Sequence, residues 1–270
     1  MVWSKVLSKP TNQRIGKGFK LHTHVNVCMR SGIFLNVEKS ILEIGDLFAF
    51  FESKPEMYEI LSQSEDVDNR ILRTILADVS FGNRIVLDVG AGTGKFSVPL
   101  SSKAKLVVAL DKSKGALNIL KAKSKGKRMA VLKGEFSNIP LLDESVNVVL
   151  ATWAFNPSLP DADSVFGEML RVTKRAGTMI FVGNYPAGEY HLIKTKYLLA
   201  PGTGKFFNEW LLSKGCKRKI MDVRVDLRSK SNIERILSGQ PPLEMIKQYL
   251  YERNKTWFNL RVSVFYYEKS

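Results

Sequence analysis

Hydrophobic and polar positions divide the chain into three parts that differ in periodicity. Residues 1–38 are basic and contain glycine, with little regular pattern. Over residues 39–80, apolar side chains recur every three or four positions, as in KSILEIGDLFAFF and VDNRILRTILADV. That spacing is typical of one face of a helix. In KPEMYEILSQ, Pro55 suits the first helical turn. We therefore expect a basic arm at 1–38 and then a helical prelude.

From residue 81 to 270, short apolar runs alternate with helical stretches. Five runs are typical of buried parallel strands: RIVLDVG (84–90), KLVVALD (105–111), RMAVLKG (128–134), VNVVLAT (146–152) and TMIFVGN (178–184). Ser113 and Asp161 are candidate N-caps of the intervening helices, and Gly177 stands where the second helix should stop. KIMDVRVDL and RVSVFYYEK predict two further strands. The alternation indicates βαβ units in a doubly wound α/β sheet.

The pentapeptide GTGKF occurs twice, at residues 92–96 and 202–206. Glycines followed by lysine at a helix start suggest a phosphate-binding loop. A P-loop, however, needs glycine where Val89 stands and a hydroxyl residue where Phe96 stands. A dinucleotide fingerprint, G-x-G-x-x-G, needs glycine where Lys95 stands. The first copy fits neither pattern.

A third pattern, D-x-G-x-G-x-G, is matched at every position by Asp88, Gly90, Gly92 and Gly94. At these residues the chain resembles the class I S-adenosylmethionine-dependent methyltransferases. Glycines lack a Cβ atom, so such a backbone turns tightly and approaches a ligand closely. The resemblance assigns the loop, including Ala91, to the amino-acid end of the cofactor. It also implies that Asp88 supports the loop and the cofactor's ammonium group.

Further sites agree with this resemblance. Asp111 ends the next predicted strand, where a carboxylate can accept hydrogen bonds from both ribose hydroxyls, and Lys112 is next to it. The resemblance places Glu135 and Phe136 at the adenine: the acid at the exocyclic amine and the next amide at a ring nitrogen. Glutamate there departs mildly from the usual aspartate. Ala151, at the end of the fourth predicted strand, completes the expected cofactor-binding set.

The resemblance covers about residues 84–184 and continues more loosely to the end of the chain. It implies a seven-stranded, mostly parallel sheet with helices on both faces and an antiparallel last strand. Residues 81–270 would form the methyltransferase domain, and 39–80 a prelude or lid. A generic doubly wound domain for another nucleotide is the alternative, and a nicotinamide oxidoreductase is disfavoured by Lys95 and Ser97.

No catalytic residue is identified by the sequence. Methyl transfer is an in-line displacement in which the cofactor carries the difficult chemistry, so positioning and water exclusion are the main tasks of the protein. Trp153 and Phe155 either line an acceptor pocket or cover the sheet edge. His191 is either a base or a surface residue. Asn156 lies in a segment that lacks the second proline and the aromatic residue of nucleic-acid N-methylating relatives, so it indicates a loop.

The second GTGKF comes directly after Pro201, so no strand leads into it as a cofactor crevice requires. Gly204 and Lys205 are interpreted as helix-entry residues, with a substrate lid as the alternative. The basic runs KAKSKGKR (121–128) and KGCKRK (214–219) are typical of solvated turns.

The net charge of the chain adds anionic macromolecules to the methyl acceptors that have to be considered. The 270 residues carry a formal net charge of +15, which favours an anionic partner such as RNA or the ribosome. The resemblance to quinone-type enzymes favours a small molecule. The expected function is methyl transfer to a small molecule, with an RNA, ribosome or protein methyltransferase as one alternative and a non-catalytic binding module as another.

Cysteine and histidine usage argues against metal and disulfide chemistry. Cys28 and Cys216 have no paired spacing, and His22 and His24 lack a third ligand nearby, so no metal site is predicted. No run approaches the ~18 apolar residues of a membrane span. A reducing, cytoplasmic compartment is expected. The acid-poor start of the chain, in which Glu38 is the first acid, makes an organellar location the alternative.

Overall fold

The computed structural model of this chain describes residues 52–198, 203–238 and 241–270. The basic arm and the whole of the prelude segment KSILEIGDLFAFF (39–51) therefore lie outside the described residues. The later prelude helices are present as α1 (Pro55–Ser64) and α2 (Arg70–Asp78). Pro55 occupies the start of α1, as its fixed φ favours.

Seven strands form one sheet in the order β3-β2-β1-β4-β5-β7-β6. The strands are β1 (Ile85–Val89), β2 (Leu106–Asp111), β3 (Met129–Lys133), β4 (Val146–Thr152), β5 (Thr173–Asn184), β6 (Lys217–Asp226) and β7 (Trp257–Glu268). The other helices are α3 (Ser97–Leu100), α4 (Lys114–Ser124), α5 (Ala162–Val172), α6 (Glu189–Leu198), α7 (Thr203–Ser213), α8 (Lys230–Leu237) and α9 (Pro241–Glu252).

The first five strands pair in parallel, whereas β7 runs antiparallel to both β5 and β6. The predicted seven-stranded sheet with an antiparallel last strand is confirmed. Strand order reverses between β1 and β4, and Val89 of β1 lies opposite Leu110 of β2 and Ala151 of β4. The carboxyl ends of these strands therefore meet at one edge, where ligands bind in open α/β sheets.

Side chains from β1 alternate between two hydrophobic cores. Val86 packs in one cluster with Ile71 and Ile75 of α2, and Leu87 packs in the other with Met169 of α5. A strand that is apolar on both sides must be covered on both faces. The helices on the two faces of the sheet, predicted from the sequence, are a consequence of this alternation.

One predicted helix stop was wrong. Helix α5 ends at Val172 and the chain enters β5 at once, so Gly177 lies inside the strand instead of ending the helix. A Cβ atom at Gly177 would lie 2.7 Å from the carbonyl oxygen of Lys174, and the preceding Ala176 has a φ of +54°. Gly177 therefore serves a tight local irregularity of the strand.

The two predicted N-caps differ. The Ser113 hydroxyl accepts a hydrogen bond from the Ala116 amide at 3.1 Å, as an N-cap should. The Asp161 side chain makes no such bond at the start of α5, so its predicted capping role was wrong. Helix α8 was missed, although Ser229 caps it by accepting from the Asn232 amide at 3.1 Å.

Candidate functional site

The glycine-rich loop leaves β1 at Val89 and turns through three residues with positive φ: 71° at Gly90, 53° at Gly92 and 93° at Gly94. Only glycine adopts these values readily. The Gly90 amide donates to the carbonyl oxygen of Leu110 at 2.8 Å, which joins the loop to the end of β2. A Cβ atom at Gly90 would lie 2.2 Å from the Cβ of Ala154, so the first glycine also permits close approach of the segment after β4.

Asp88 supports this loop from beneath. Its side chain is 1% exposed, and its Oδ2 accepts a hydrogen bond from the Ser97 hydroxyl at the start of α3. Its Oδ1 is buried and has no hydrogen-bond partner among the described residues. Burial raises the pKa of Asp88 to about 7, and the neighbouring charge of Asp111 adds to the rise. A buried carboxylate oxygen that has no hydrogen-bond partner is suited to a donor supplied by a ligand.

Asp111 connects the loop to β2. Its Oδ2 accepts from the Gly92 amide and its Oδ1 from the Ser113 amide, each at 2.8 Å. Burial nevertheless raises the pKa of Asp111, and the charge of Glu52 adds to the rise. Each carboxylate oxygen keeps a lone pair beyond its amide bond. Asp111 can therefore brace the loop and accept hydroxyl donors at once, while Lys112 beside it is exposed.

The residues expected at the adenine are only partly brought to the loop. Phe136 is half-buried, and its ring carbon Cζ lies 3.3 Å from where a Cβ of Gly90 would stand. Glu135 is exposed. The side chain of Ala151 is 1% exposed within the core between β1 and β5, so only its backbone could meet a ligand.

Sequence reasoning missed the part that α1 plays. The ring of Tyr58 packs against the loop, so a Cβ on Gly92 would lie 2.9 Å from its Cε1. Burial raises the pKa of Tyr58, and the charges of Glu65, Asp111, Asp88 and Glu59 raise it further. The only signal in the sequence was the periodicity that predicted the helical prelude. That periodicity does not indicate which segment the helix contacts.

Two lysines join α1 to the glycine-rich loop. Lys95 Nζ donates to the carbonyl oxygens of Ser62, at 2.6 Å, and Glu65. Lys123 Nζ pairs with Glu59 and also donates to the carbonyl oxygen of Thr93 at 3.1 Å. One lysine of the basic run 121–128 is therefore engaged at the loop, unlike the solvated turn expected there.

Aromatic residues stand beyond the ends of β4 and β5. Trp153 has a φ of +53° and donates its indole N–H to Asn184 Oδ1 at 2.9 Å. The ring of Tyr190 stacks on Phe258 with centroids 5.6 Å apart. Trp153 and Tyr190 both pack at the border of one hydrophobic core, partly buried. We refer to Trp153 and Tyr190 together as the candidate acceptor wall.

Phe155 and Asn156 have structural roles. Phe155 is 7% exposed and packs on Phe181 and Trp210 with centroid separations of 5.5 and 5.2 Å, so it belongs to the core. Asn156 Oδ1 accepts from the Ser158 amide at 3.0 Å, which is a loop-forming bond. His191 is half-buried in α6.

The second GTGKF is helical where the structure describes it. Its described residues lie in α7, where the side chain of Lys205 is 70% exposed and its ammonium stands 3.7 Å from Glu209. This placement agrees with helix entry. Pro201 and Gly202 lie outside the described residues.

The described part of the chain contains neither a candidate metal cluster nor a helix that could span a membrane. Its residues include no group of three or more His, Cys, Asp and Glu side chains that could hold a metal ion. Within the same ranges, no helix has the length and apolar character that crossing a membrane requires.

Comparisons with known proteins agree with the loop geometry. Residues 87–181 match a family model described as "Methyltransferase domain". A demethylmenaquinone methyltransferase of Thermobifida fusca is 28% identical over 141 residues, covering 50% of this chain and 59% of that protein. A malonyl-[acyl-carrier protein] O-methyltransferase of Yersinia pestis is 29% identical over 148 residues, covering 54% and 51%. The chain thus spans little more than half the length of these relatives.

Solved structures share the fold. The YcgJ protein of Bacillus subtilis superposes with a TM-score of 0.54 at 16% identity, covering 73% of this chain and 96% of that one. A SAM-dependent methyltransferase of Thermotoga maritima gives 0.53 at 18% identity, covering 83% and 100%. At such identities the likeness concerns the fold.

Proposed function

We propose that this chain, which carries a class I S-adenosylmethionine-dependent methyltransferase domain at residues 87–181, transfers a methyl group from that cofactor to a small molecule. When bound, S-adenosylmethionine supplies an electrophilic methyl group on a sulfonium. The chain's own residues hold the cofactor, exclude water and orient the acceptor.

The observation that carries the proposal is the unpaired Oδ1 of Asp88. This atom is buried beneath a loop whose glycines permit close approach, and it has no partner in the described part of the chain. A buried acceptor without a partner costs free energy, on the order of 1–3 kcal/mol, so it fits a ligand with a cationic donor. The ammonium group of the cofactor has that chemistry, directly or through water.

The other expected contacts fit the same ligand. We assign the loop Gly90–Gly94 to the amino-acid end of the cofactor and Asp111 to its ribose hydroxyls. Glu135, the Phe136 amide and the backbone of Ala151 remain assigned to the adenine side and the crevice wall. The exposed Glu135 can reach a ligand only at the crevice margin.

The acceptor class is supported by the relatives and by the aromatic wall. The Thermobifida and Yersinia proteins act, by their names, on demethylmenaquinone and on a malonyl group carried by a protein. Trp153 and Tyr190 offer an apolar, partly buried surface beyond β4 and β5. Aromatic faces suit a flat or apolar acceptor. No residue is assigned as a base, and a cytoplasmic location stays a prediction based on the two cysteines.

The test uses S-adenosylmethionine labelled in the methyl group, purified protein and a cell extract separated into small-molecule, RNA and protein fractions. We expect label in the small-molecule fraction and none with Gly92→Val, which blocks the loop. Label in RNA, or in a protein other than a carrier of a small acyl group, would instead establish the alternative suggested by the +15 charge. If neither the cofactor nor its demethylated product bound in calorimetry, the proposed function would be wrong.

A further inference from the structure

Lys95 reaches from the cofactor loop to the far end of α1. Its Nζ donates to the carbonyl oxygens of Ser62 and Glu65 and stands 3.9 Å from Glu65 Oε2. These carbonyls belong to the last turn and the C-cap of α1. The last carbonyls of a helix lack intrahelical partners and carry partial negative charge, so a cation there satisfies them and stabilises the helix end.

The Lys95 ammonium is held inside the protein. Its side chain is 12% exposed. Burial lowers the pKa of Lys95, and the charges of Glu65 and Asp66 oppose that change. A buried ammonium keeps its charge only where acceptors surround it. The carbonyls of α1 and the Glu65 carboxylate therefore stabilise the Lys95 ammonium, and Lys95 in turn stabilises the end of α1.

The same helix carries Tyr58 to the loop. A Cβ atom on Gly92 would lie 2.9 Å from Tyr58 Cε1 and 3.0 Å from its hydroxyl oxygen. At the other end of α1, Pro55 Cγ lies 3.1 Å from where a Cβ of Gly115 would stand, in the helix α4 that follows β2. Helix α1 thus extends from the ribose side of the loop, over Gly92, to Lys95.

The two copies of GTGKF allow the effect of the local sequence on the lysine to be distinguished from the effect of its place in the fold. Lys95 and Lys205 occupy the same place in GTGKF, yet the side chain of Lys205 is 70% exposed, and among the described residues its ion pair is with Glu209 along its own helix. Exposed pairs of this kind contribute little. Lys95 therefore contacts α1 because of its position in the fold and not because of the GTGKF sequence around it.

We propose that Lys95 is a positioning residue: it fastens the C-terminal turn of α1 to the glycine loop, so that Tyr58 closes over the amino-acid end of the bound cofactor. This inference rests on the proposed function. Closure of this kind excludes water from the reacting centre and slows dissociation of the ligand.

The test compares two ligands that share adenosine. S-adenosylhomocysteine has the amino-acid arm, and 5′-methylthioadenosine lacks it. With Lys95→Met we expect the Kd of S-adenosylhomocysteine to rise about tenfold, mainly through faster dissociation, because charge-assisted hydrogen bonds are lost. The Kd of 5′-methylthioadenosine should change less than about twofold by the same principle, since α1 keeps its contact near Gly115. Lys95→Arg should restore part of the loss, and Lys205→Met should behave as wild type.

Equal losses for both ligands, or no loss for either, would overturn the proposal, since a general structural role predicts no selectivity. If Lys95→Met fails to fold by circular dichroism, Tyr58→Ala decides in its place: a loss confined to S-adenosylhomocysteine supports closure, and unchanged binding refutes it. Failure of the wild-type protein to bind S-adenosylhomocysteine would instead refute the proposed function, and with it this inference.

Discussion

The Gly92 amide donates to Asp111 Oδ2 at 2.8 Å, and this bond joins the loop after β1 to the last residue of β2. The residue expected to hold the ribose is therefore also the residue that shapes the loop. Loss of its carboxylate would affect two parts of the ligand at once.

Asp111→Ala should weaken binding of S-adenosylhomocysteine tenfold or more. The change removes acceptors for the Gly92 amide and for the ligand, and bonds to a charged group contribute about 1.5–3 kcal/mol each. Isothermal calorimetry measures the effect, with Asp163→Ala on the exposed surface of α5 as control. Unchanged affinity for Asp111→Ala would remove the ribose role from this residue.

Gly92→Ala should destabilise the fold more than Gly126→Ala. Both glycines have positive φ, 53° and 71°, so both changes add backbone strain of about 1–2 kcal/mol. Only at Gly92 would the new methyl group meet the Tyr58 ring, whereas nothing lies within 4 Å at Gly126. Overpacking adds about 1–3 kcal/mol.

Urea unfolding gives both differences, and the double variant Tyr58→Ala/Gly92→Ala should recover the excess. If Gly92→Ala and Gly126→Ala cost the same free energy, the ring of Tyr58 does not press on the loop.

Stability should fall as the pH rises from about 4 to about 7 because of Asp88. Its folded-state pKa of about 7 lies above the unfolded value near 3.8, so the folded state holds the proton more tightly. The stabilising contribution is complete below the unfolded pKa and is lost as the pH passes through the folded one. The full span is on the order of 4 kcal/mol.

Asp88→Asn should flatten this dependence and be more stable than wild type at pH 8, as measured by urea unfolding at pH 5 and pH 8. Asp78 offers a control of opposite sign, because its hydrogen bond from Lys219 lowers its pKa. Asp78→Asn should remove stability that is present above the unfolded pKa and lost in acid. A steeper pH dependence in Asp88→Asn would contradict the assignment.

Trp153→Phe should lower methyl transfer in the labelled-methyl assay without changing the affinity for S-adenosylhomocysteine. The change keeps an aromatic ring but removes the indole bond to Asn184. Without the bond to Asn184, the ring at position 153 would no longer hold the acceptor in the correct place, and small displacements of the acceptor lower the rate of methyl transfer strongly. Trp257→Phe in β7 is the control, and a parallel fall in cofactor affinity would place Trp153 at the cofactor instead.

The sequence predicted the sheet and the loop because their signals are local. Leu87 and Val89 belong to an apolar run long enough for a buried strand, and the three glycines of the loop each need a positive φ. The strand end Asp111 was readable for the same reason. These features depend on residues that are neighbours along the chain.

Contacts between distant segments were not readable in this way. Tyr58 meets Gly92, and Lys95 meets the end of α1, only after the sheet has placed both segments. Asp161 has the residue type of an N-cap, yet its backbone at φ −94° and ψ 8° is not the extended conformation that capping needs. Side-chain type alone does not fix backbone geometry.

The repeated GTGKF is a chameleon segment, which means that the same sequence adopts different backbone conformations at two places in the chain. Gly94 adopts a φ of +93° in an irregular turn, whereas Gly204 lies within the helix α7. Glycine is the residue that tolerates both shapes. The four residues Thr-Gly-Lys-Phe, which the structure describes in both copies, therefore carry no conformational instruction of their own here. The choice between turn and helix is made by what each copy contacts: Asp111 and the end of α1 for the first copy, and the end of β5 at Asn184 for the described residues of the second.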